Sequence, residues 1–411
     1  MRFDVVDFLE SLLTLTIADY LRDVWAGDMP NWLIEAIIDV VGILIVCTFL
    51  LVIVLYLIWL LRKVIARIQD RIGPNRVGGR YGLLQTVADA LKLITKEDIV
   101  PAGADKLAFN LAPFITVIAA LLMWAVIPFA PGLIGADINV GVFFVLAISS
   151  VSVIALLLAG WGSNNKYALL GAFRAVAQLV SYEVPMIMAL IIPILLASSM
   201  STQTIVESQS VWYILVVPVA ALIFIISAMA ELGQTPFDLL EAESEIVAGF
   251  HVEYSGMKFA LFFLGEFINA FFMSALFTTM FLGGWRGPGA EEYPLLGLIY
   301  FMLKTLLVYI FLIWVRGTLP RVRIDQLLYF NWKFLVPLVL SLILVVAVVA
   351  KIIPADTNEW VQAGILLVVN ILVAIIALEI PRRAARRRRL ASESGQDQFE
   401  VDTPALSSAA D

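Results

Sequence analysis

The sequence predicts an all-α fold: a polytopic transmembrane helical bundle of about nine spans, with the N-terminus outside and the C-terminus cytoplasmic. Three observations predict it. The 411 residues are 61% hydrophobic and only 15% charged, with a mean hydropathy of +0.95, well beyond what a soluble core requires. Apolar runs long enough to cross ~30 Å of hydrocarbon, about 20 residues each, recur along the chain. Lys and Arg gather in alternate loops, as they do on the cytoplasmic side of a membrane protein.

The expected spans are 37–60, 107–130, 141–160, 184–200, 211–230, 257–282, 295–315, 333–353 and 361–380. They are apolar all round, unlike the alternating strands of roughly ten residues that build a membrane barrel. Loop 61–106 carries Arg62, Lys63, Arg67, Arg71, Arg76, Arg80, Lys92, Lys96 and Lys106; loop 161–183 carries Lys166 and Arg174; loop 316–332 carries Arg316, Arg321 and Arg323. The opposite loops, 131–140, 201–210, 283–294 and 354–360, hold one Arg among them, Arg286. The arginine run after the last span joins the basic side only if the number of spans is odd, as nine is.

Flanking the membrane domain, 37–380, are two segments of different character. Residues 1–36 lack the basic start and small-residue cleavage site of a signal peptide, and Phe8, Leu12, Leu15 and Leu21 suggest an external amphipathic segment. Residues 381–411 read as a basic flank followed by a disordered cytoplasmic tail. Directly after an apolar span, Arg382, Arg383 and Arg386 to Arg389 read as a stop-transfer flank rather than a nucleic-acid site.

The residue inventory narrows the chemistry. One cysteine, Cys47, rules out a disulfide within the chain and a four-thiolate cluster; one histidine, His251, leaves bis-histidine haem and multi-histidine zinc sites unsupported. No metal site and no covalently held cofactor are expected. His251, with no second histidine or cysteine nearby, reads as a loop histidine with an ordinary hydrogen bond.

The basic loop contains RIGPNRVGGRYGLLQTVADALKLITKED, in which Gly73, Pro74, Gly78, Gly79 and Gly82 break any helix before residue 83. From Leu83 to Leu93, Leu84, Val87, Ala88 and Leu91 share one helical face, which suggests a short interfacial helix. Asp70 beside Arg71, and Asp89 three residues before Lys92, form pairs able to anchor a partner or close a polar cavity.

The acidic loop 231–256 places Glu231, Asp238, Glu241, Glu243, Glu245 and Glu253 between two spans, with no Lys or Arg among them. On a helix, Asp238, Glu241 and Glu245 would share one face, so their charges repel unless some are protonated. Such a group titrates as a unit and can relay protons. The alternative is a solvated acidic loop, which the interleaved Phe237, Leu239, Leu240, Ile246, Val247 and Phe250 disfavour. Glu266 and Lys304 lie within spans six and seven, where each charge costs roughly 2.5–3.5 kcal/mol, and a mutual pair would offset that cost. Glu183 is expected at the mouth of span four.

At these loops the sequence resembles the H-type membrane subunits of bacterial NADH-quinone oxidoreductase, counterparts of mitochondrial complex I subunit 1. The resemblance covers roughly residues 37–335 and rests on QDRIGPNRVG with LLQTVADALKLITKED, GWGSNNKYALLGAFR with SYE, PFDLLEAESEIVAGFHVEYSGMKFALFFLGE, and RGTLPRVRIDQ. It implies the quinone-chamber component of a proton-pumping translocase in the bacterial inner membrane. Members of that family carry no redox centre of their own and use a lipid quinone as substrate. The implied partners are the iron–sulfur and quinone-site subunits of a hydrophilic arm and the small membrane subunits of a pump arm, with no nucleic acid.

Carried over by motif, Glu231, Asp238, Glu241, Glu243, Glu245, Glu183 and Glu266, joined by Lys304 from the intramembrane-charge argument, form the proton path. Arg62, Asp70, Arg71, Gly73, Pro74, Asn75, Arg76, Gln85 and Asp89 form the chamber mouth and docking face. Leu61 and Gln234 stand where the family usually carries Glu and Arg. The competing readings are the membrane anchor of a related membrane-bound hydrogenase or ferredoxin-fed complex and, from another class, a secondary transporter. The latter would show two repeated halves with discontinuous helices, and the sequence has no such internal repeat.

Overall fold

The computed structural model describes residue 22 and residues 30–239, 247–354 and 358–401, with the side chains of the last helix described to Glu379 and at Arg382. Apart from Arg22, the expected external segment before Pro30 lies outside the described residues, as do the acidic residues Glu241, Glu243 and Glu245. In chain order the helices are α1 (Asn31–Ile68), α2 (Gln85–Thr95), α3 (Lys106–Leu122), α4 (Gly141–Gly162), α5 (Lys166–Ala197), α6 (Thr202–Ser208) and α7 (Tyr213–Val216). They continue as α8 (Pro218–Glu231), α9 (Gly256–Phe281), α10 (Pro294–Thr318), α11 (Ile324–Phe330), α12 (Val336–Ile352) and α13 (Glu359–Val401). Among the described residues there is no β-sheet, only one isolated bridge between Ala130 and Leu133.

Among the described residues, eight helical stretches are long and apolar enough to cross a membrane. The fifth expected span, 211–230, is not one helix. Val217 leaves helical geometry (φ −131°, ψ 62°) and Pro218 opens α8 at its first position, where proline's missing N–H costs nothing. The 14 residues of α8 reach about 21 Å, short of the hydrocarbon thickness. Such a break is tolerated because Ala220, Ala221, Ile223, Phe224 and Ser227 bury it in protein.

Two further expectations change. The loop read at 161–183 is mostly helix, because Asn165 caps α5 by accepting from the Tyr167 N–H at 2.9 Å and the Ala- and Leu-rich KYALLGAFRAVAQLV that follows favours helix. Glu183 therefore lies inside α5 rather than at its mouth. At the other end of the chain, α13 runs on to Val401, past the start of the segment read as a disordered tail. Ala391, Glu393, Gln396 and Gln398 in that last stretch favour helix, and no proline lies between Pro381 and Pro404.

Lipid tails are as apolar as leucine, so helices in a membrane associate through close packing rather than burial alone. A Cβ on Gly160 of α4 would fall 2.3 Å from Ala172 Cβ of α5, one on Gly162 2.8 Å from Phe109 N of α3, and one on Gly265 of α9 2.9 Å from Thr116 of α3. These glycines set α3, α4, α5 and α9 against one another around the polar region described below.

Helix-interior prolines add polar ties. Pro113 in α3 and Pro185 in α5 leave the carbonyls four residues earlier, Phe109 and Ser181, without their helical donor. Side chains from elsewhere in the fold take them up: Tyr254 Oη donates to Phe109 O at 3.1 Å, and Asn331 Nδ2 donates to Ser181 O at 2.6 Å. Asn331 opens a π-helical turn, Asn331–Leu335, between α11 and α12, and Tyr182 Oη returns a bond to Leu327 O of α11 at 3.0 Å.

Candidate functional site

Alternate loops meet at opposite ends of the bundle. At one end the basic loop is stitched to the start of α9: the Ile99 N–H donates to Ser255 Oγ at 3.4 Å, and Lys258 pairs with Asp98 at 2.9 Å. The acidic loop is tied to the segment before α11 there: Arg321 Nη2 meets Asp238 Oδ2 at 2.6 Å, and the Val322 N–H donates to Pro236 O at 2.9 Å. At the other end Thr202 Oγ1 donates to Val126 O at 2.6 Å and Gln209 Nε2 to Thr279 O at 2.9 Å.

The basic turn is built by backbone geometry. α1 closes with Asp70 in the left-handed region (φ 52°), the Arg71 N–H returning to Ala66 O at 2.8 Å and the Asp70 N–H to Arg67 O at 3.2 Å, a Schellman closure. Gly82 (φ +67°) lies so near the GPNR segment that a Cβ there would fall 2.5 Å from Pro74 O. Lys63 Nζ donates to Pro74 O, fixing the turn to α1. Arg71, Asn75 and Arg76 are exposed.

Asp89 pairs with Arg62 of α1 rather than with Lys92, and Gln85 Nε2 donates weakly to its other oxygen at 3.4 Å. That pair holds α2 against α1 and leaves Leu84, Val87, Leu91 and Ile94 exposed as an apolar face. The helix expected at 83–93 is α2, two residues further on.

Two of the carboxylates line a second feature, a cavity of about 90 Å³ whose wall is mostly phenylalanine and aliphatic side chains, with Glu231, Glu266, His251, Ser152, Thr116 and Asn269 as its polar members. Glu231 ends α8, and Glu266 and Asn269 sit three residues apart on one face of α9. Glu231 Oε2 and Asn269 Oδ1 are buried without a hydrogen-bond partner among the described residues. Glu183 accepts from Ser149 Oγ at 3.2 Å and is near enough for its charge to act on Glu231.

His251 presents its ring edge-to-face with Phe250 and Phe259, centroids at 5.0 and 5.4 Å. Burial pulls its pKa down to about 4, so the imidazole is neutral near pH 7. It lines the cavity rather than sitting apart as an ordinary loop histidine. Nothing in the sequence marked Ser152, Thr116 or His251 for this place. Asn269 could have been found from its spacing to Glu266.

Two expectations fail here. Asp238 is not helical, and its charge is met by Arg321, which the acidic loop itself could not supply. Glu266 and Lys304 do not pair: each lies about 15 Å along its helix, entering from opposite ends of the bundle, so they sit at different depths. Arg316 Nη1 lies 3.9 Å from Glu266 Oε1. Lys304 Nζ donates to the carbonyls of Leu282, Gly284 and Arg286 at 2.9, 3.0 and 2.8 Å, where a cation suits the C-terminal end of α9.

Leu61 and Gln234 are both buried. Among the described residues no three His, Cys, Asp or Glu side chains come together as metal ligands.

Comparison with known proteins bears on this arrangement. The family model described as NADH dehydrogenase matches residues 41–347, which span α1 to most of α12. The chain is 51% identical to the H-type NADH-quinone oxidoreductase subunit of Dehalococcoides mccartyi (strain CBDB1), over 77% of this chain and 88% of that one. It is 48% identical to the corresponding protein of Geobacillus kaustophilus, over 80% and 98% respectively. It is 52% identical to one from Geobacter sulfurreducens, over 71% and 89%. A match this long, covering the basic turn, the cavity and the bundle that holds both, shows that the chain belongs to the NADH dehydrogenase family, as a multi-pass membrane protein related to the H-type subunits of NADH-quinone oxidoreductase.

Proposed function

We propose that the chain forms the membrane side of a quinone chamber and starts a proton path, so that quinone reduction in a respiratory complex drives proton translocation. The observation that carries this reading is the cavity at the loop-bearing end, where Glu231 and Glu266 line one space and Glu231 Oε2 has no protein partner among the described residues. Carboxylates in a shared polar space exchange protons through intervening water, provided the space has room for several molecules and offers them polar partners. Ser152, Thr116 and Asn269 supply such partners. Glu183, Asp238, Glu241, Glu243 and Glu245 extend the path towards the loop.

On the same end, the exposed apolar face of α2 suits an isoprenoid tail, and the Arg62–Asp89 pair and the rigid GPNR turn suit a chamber mouth against a partner protein. The electrons come from iron–sulfur subunits of a hydrophilic arm, this chain supplying no redox cofactor, and small membrane subunits receive the protons. The relatives' names favour a quinone oxidoreductase over a hydrogenase or a ferredoxin-fed complex. The basic loops support a cytoplasmic position for this end, and the reading puts the chain in the inner membrane of a bacterial cell.

The test is Glu231→Gln in the assembled complex, with protons moved per quinone reduced as the measurement. A ratio at least halved with assembly retained is expected; an unchanged ratio overturns the reading.

A further inference from the structure

Resting on that proton-path reading, a side chain outside the carboxylate set governs where its first members stand. Gln178 of α5 is fully buried, and its Nε2 donates to Ala230 O at 2.7 Å and to Phe237 O at 2.8 Å. Ala230 directly precedes Glu231, and Phe237 directly precedes Asp238. One amide therefore fixes the backbone on the near side of both carboxylates. Its Oε1 is buried without a partner among the described residues, a cost that an apolar side chain of the same length would avoid.

The return of the loop is set on the same helix face. Gly171 lies seven residues before Gln178, two turns along α5, and a Cβ there would fall 2.7 Å from Gly249 Cα. The chain thus touches one face of α5 at both ends of the acidic segment, by a hydrogen-bonded clamp at Gln178 and by backbone-to-helix contact at Gly171. Arg321 and Val322 hold the outer side of the same loop through Asp238 and Pro236, so Gln178 is its inner anchor.

We infer that Gln178 is a positioning residue of the proton path: its amide sets the spacing of Glu231 and Asp238 and turns Glu231 into the cavity. It handles no proton itself. A merely structural role would alter how much complex assembles, whereas a positioning role alters how many protons accompany each quinone reduced.

The experiment compares Gln178→Met, which keeps the length and removes both donors, with Gln178→Glu, which keeps the shape and offers at most one. Assembly, the quinone KM, turnover and protons per quinone are measured in the whole complex in vesicles, beside Glu231→Gln. Expected for Gln178→Met are near-parental assembly and quinone KM, turnover within about twofold, and at least a twofold lower proton ratio. Gln178→Glu is expected to fall between it and the parent.

An unchanged ratio in either assembled Gln178 variant, when Glu231→Gln lowers it, overturns this inference alone. An unchanged ratio in Glu231→Gln overturns the reading beneath it. Failure of both Gln178 variants to assemble overturns it in favour of a purely structural strut.

Discussion

Away from the loop-bearing end, Lys304 gives each of its three ammonium hydrogens to a carbonyl after α9 and lies 5.2 Å from the ring centroid of Trp212. Towards that end, Glu266 lines a cavity that it shares with Glu231, with Arg316 Nη1 at 3.9 Å from its Oε1. Both are charges in apolar runs, and composition alone treats them alike. The difference teaches that what surrounds a buried charge distinguishes its roles: complete satisfaction by fixed backbone makes a joint, whereas on the proposed path a cavity shared with a second carboxylate leaves room for a proton to move.

The largest effect on stability is expected on the joint side. Lys304→Met leaves three carbonyls without their charged donor and should cost about 2–4 kcal/mol, since hydrogen bonds to charged groups are the costly ones to break. The unfolding midpoint of the purified complex would show it. Protons per quinone should stay unchanged in the complex that survives, and a fall in that ratio would move Lys304 into the path.

On the cavity side the pattern should reverse. Glu266→Gln is near-isosteric and keeps an acceptor oxygen, so its stability loss should be smaller than that of Lys304→Met, while the proton ratio falls at least twofold. A stability loss as large as that of Lys304→Met, with the ratio kept, would make the cavity a structural feature like the joint.

His251 sharpens the same contrast through pH. Its pKa in the folded chain is lowered from 6.5 to about 4 by burial, so below pH 6.5 the unfolded chain takes up a proton that the folded chain does not. The stabilisation is therefore complete above about pH 6.5 and lost as pH falls towards 4. His251→Asn, neutral throughout, should flatten the fall in unfolding midpoint between pH 7 and pH 5. An equal slope in both proteins would mean that the imidazole is not held neutral.

Much of this was legible in the residues. Hydropathy located the apolar segments, since a run of about 20 apolar residues has few alternatives to a membrane helix, and side-chain periodicity placed the apolar face of α2. Where helices begin and break was less legible. Pro218 sits in an unbroken apolar run, so the split of α7 from α8 depends on one backbone angle at Val217, and α5 starts early because Asn165 caps it.

Within the site, the carboxylates could be named from spacing and resemblance, but their partners could not. Arg321 reaches Asp238 and Gln178 reaches Ala230 from other parts of the chain, and no local pattern encodes a contact of that kind. Proline did carry a hidden signal. Pro113 and Pro185 each free a carbonyl that must be met, and Tyr254 and Asn331 meet them, although the sequence does not say which side chains will.

The smallest expected effect concerns the two charges together. Opposite charges on neighbouring spans suggest a pair, and a pair would make the double variant Glu266→Gln with Lys304→Met less harmful than the sum of its parts. The described partners do not overlap: Lys304 uses carbonyls after α9, and Glu266 faces Arg316 in the last turns of α10. Sites without shared partners add within about 0.5 kcal/mol, so the double variant should lose the stability of one and the proton ratio of the other, each nearly unchanged by its companion. A coupling above about 1 kcal/mol in the unfolding cycle would mean that α9 and α10 link the two sites through their packing. In that case the joint and the cavity would form one cooperative unit, and losing the Lys304 joint should also lower the proton ratio.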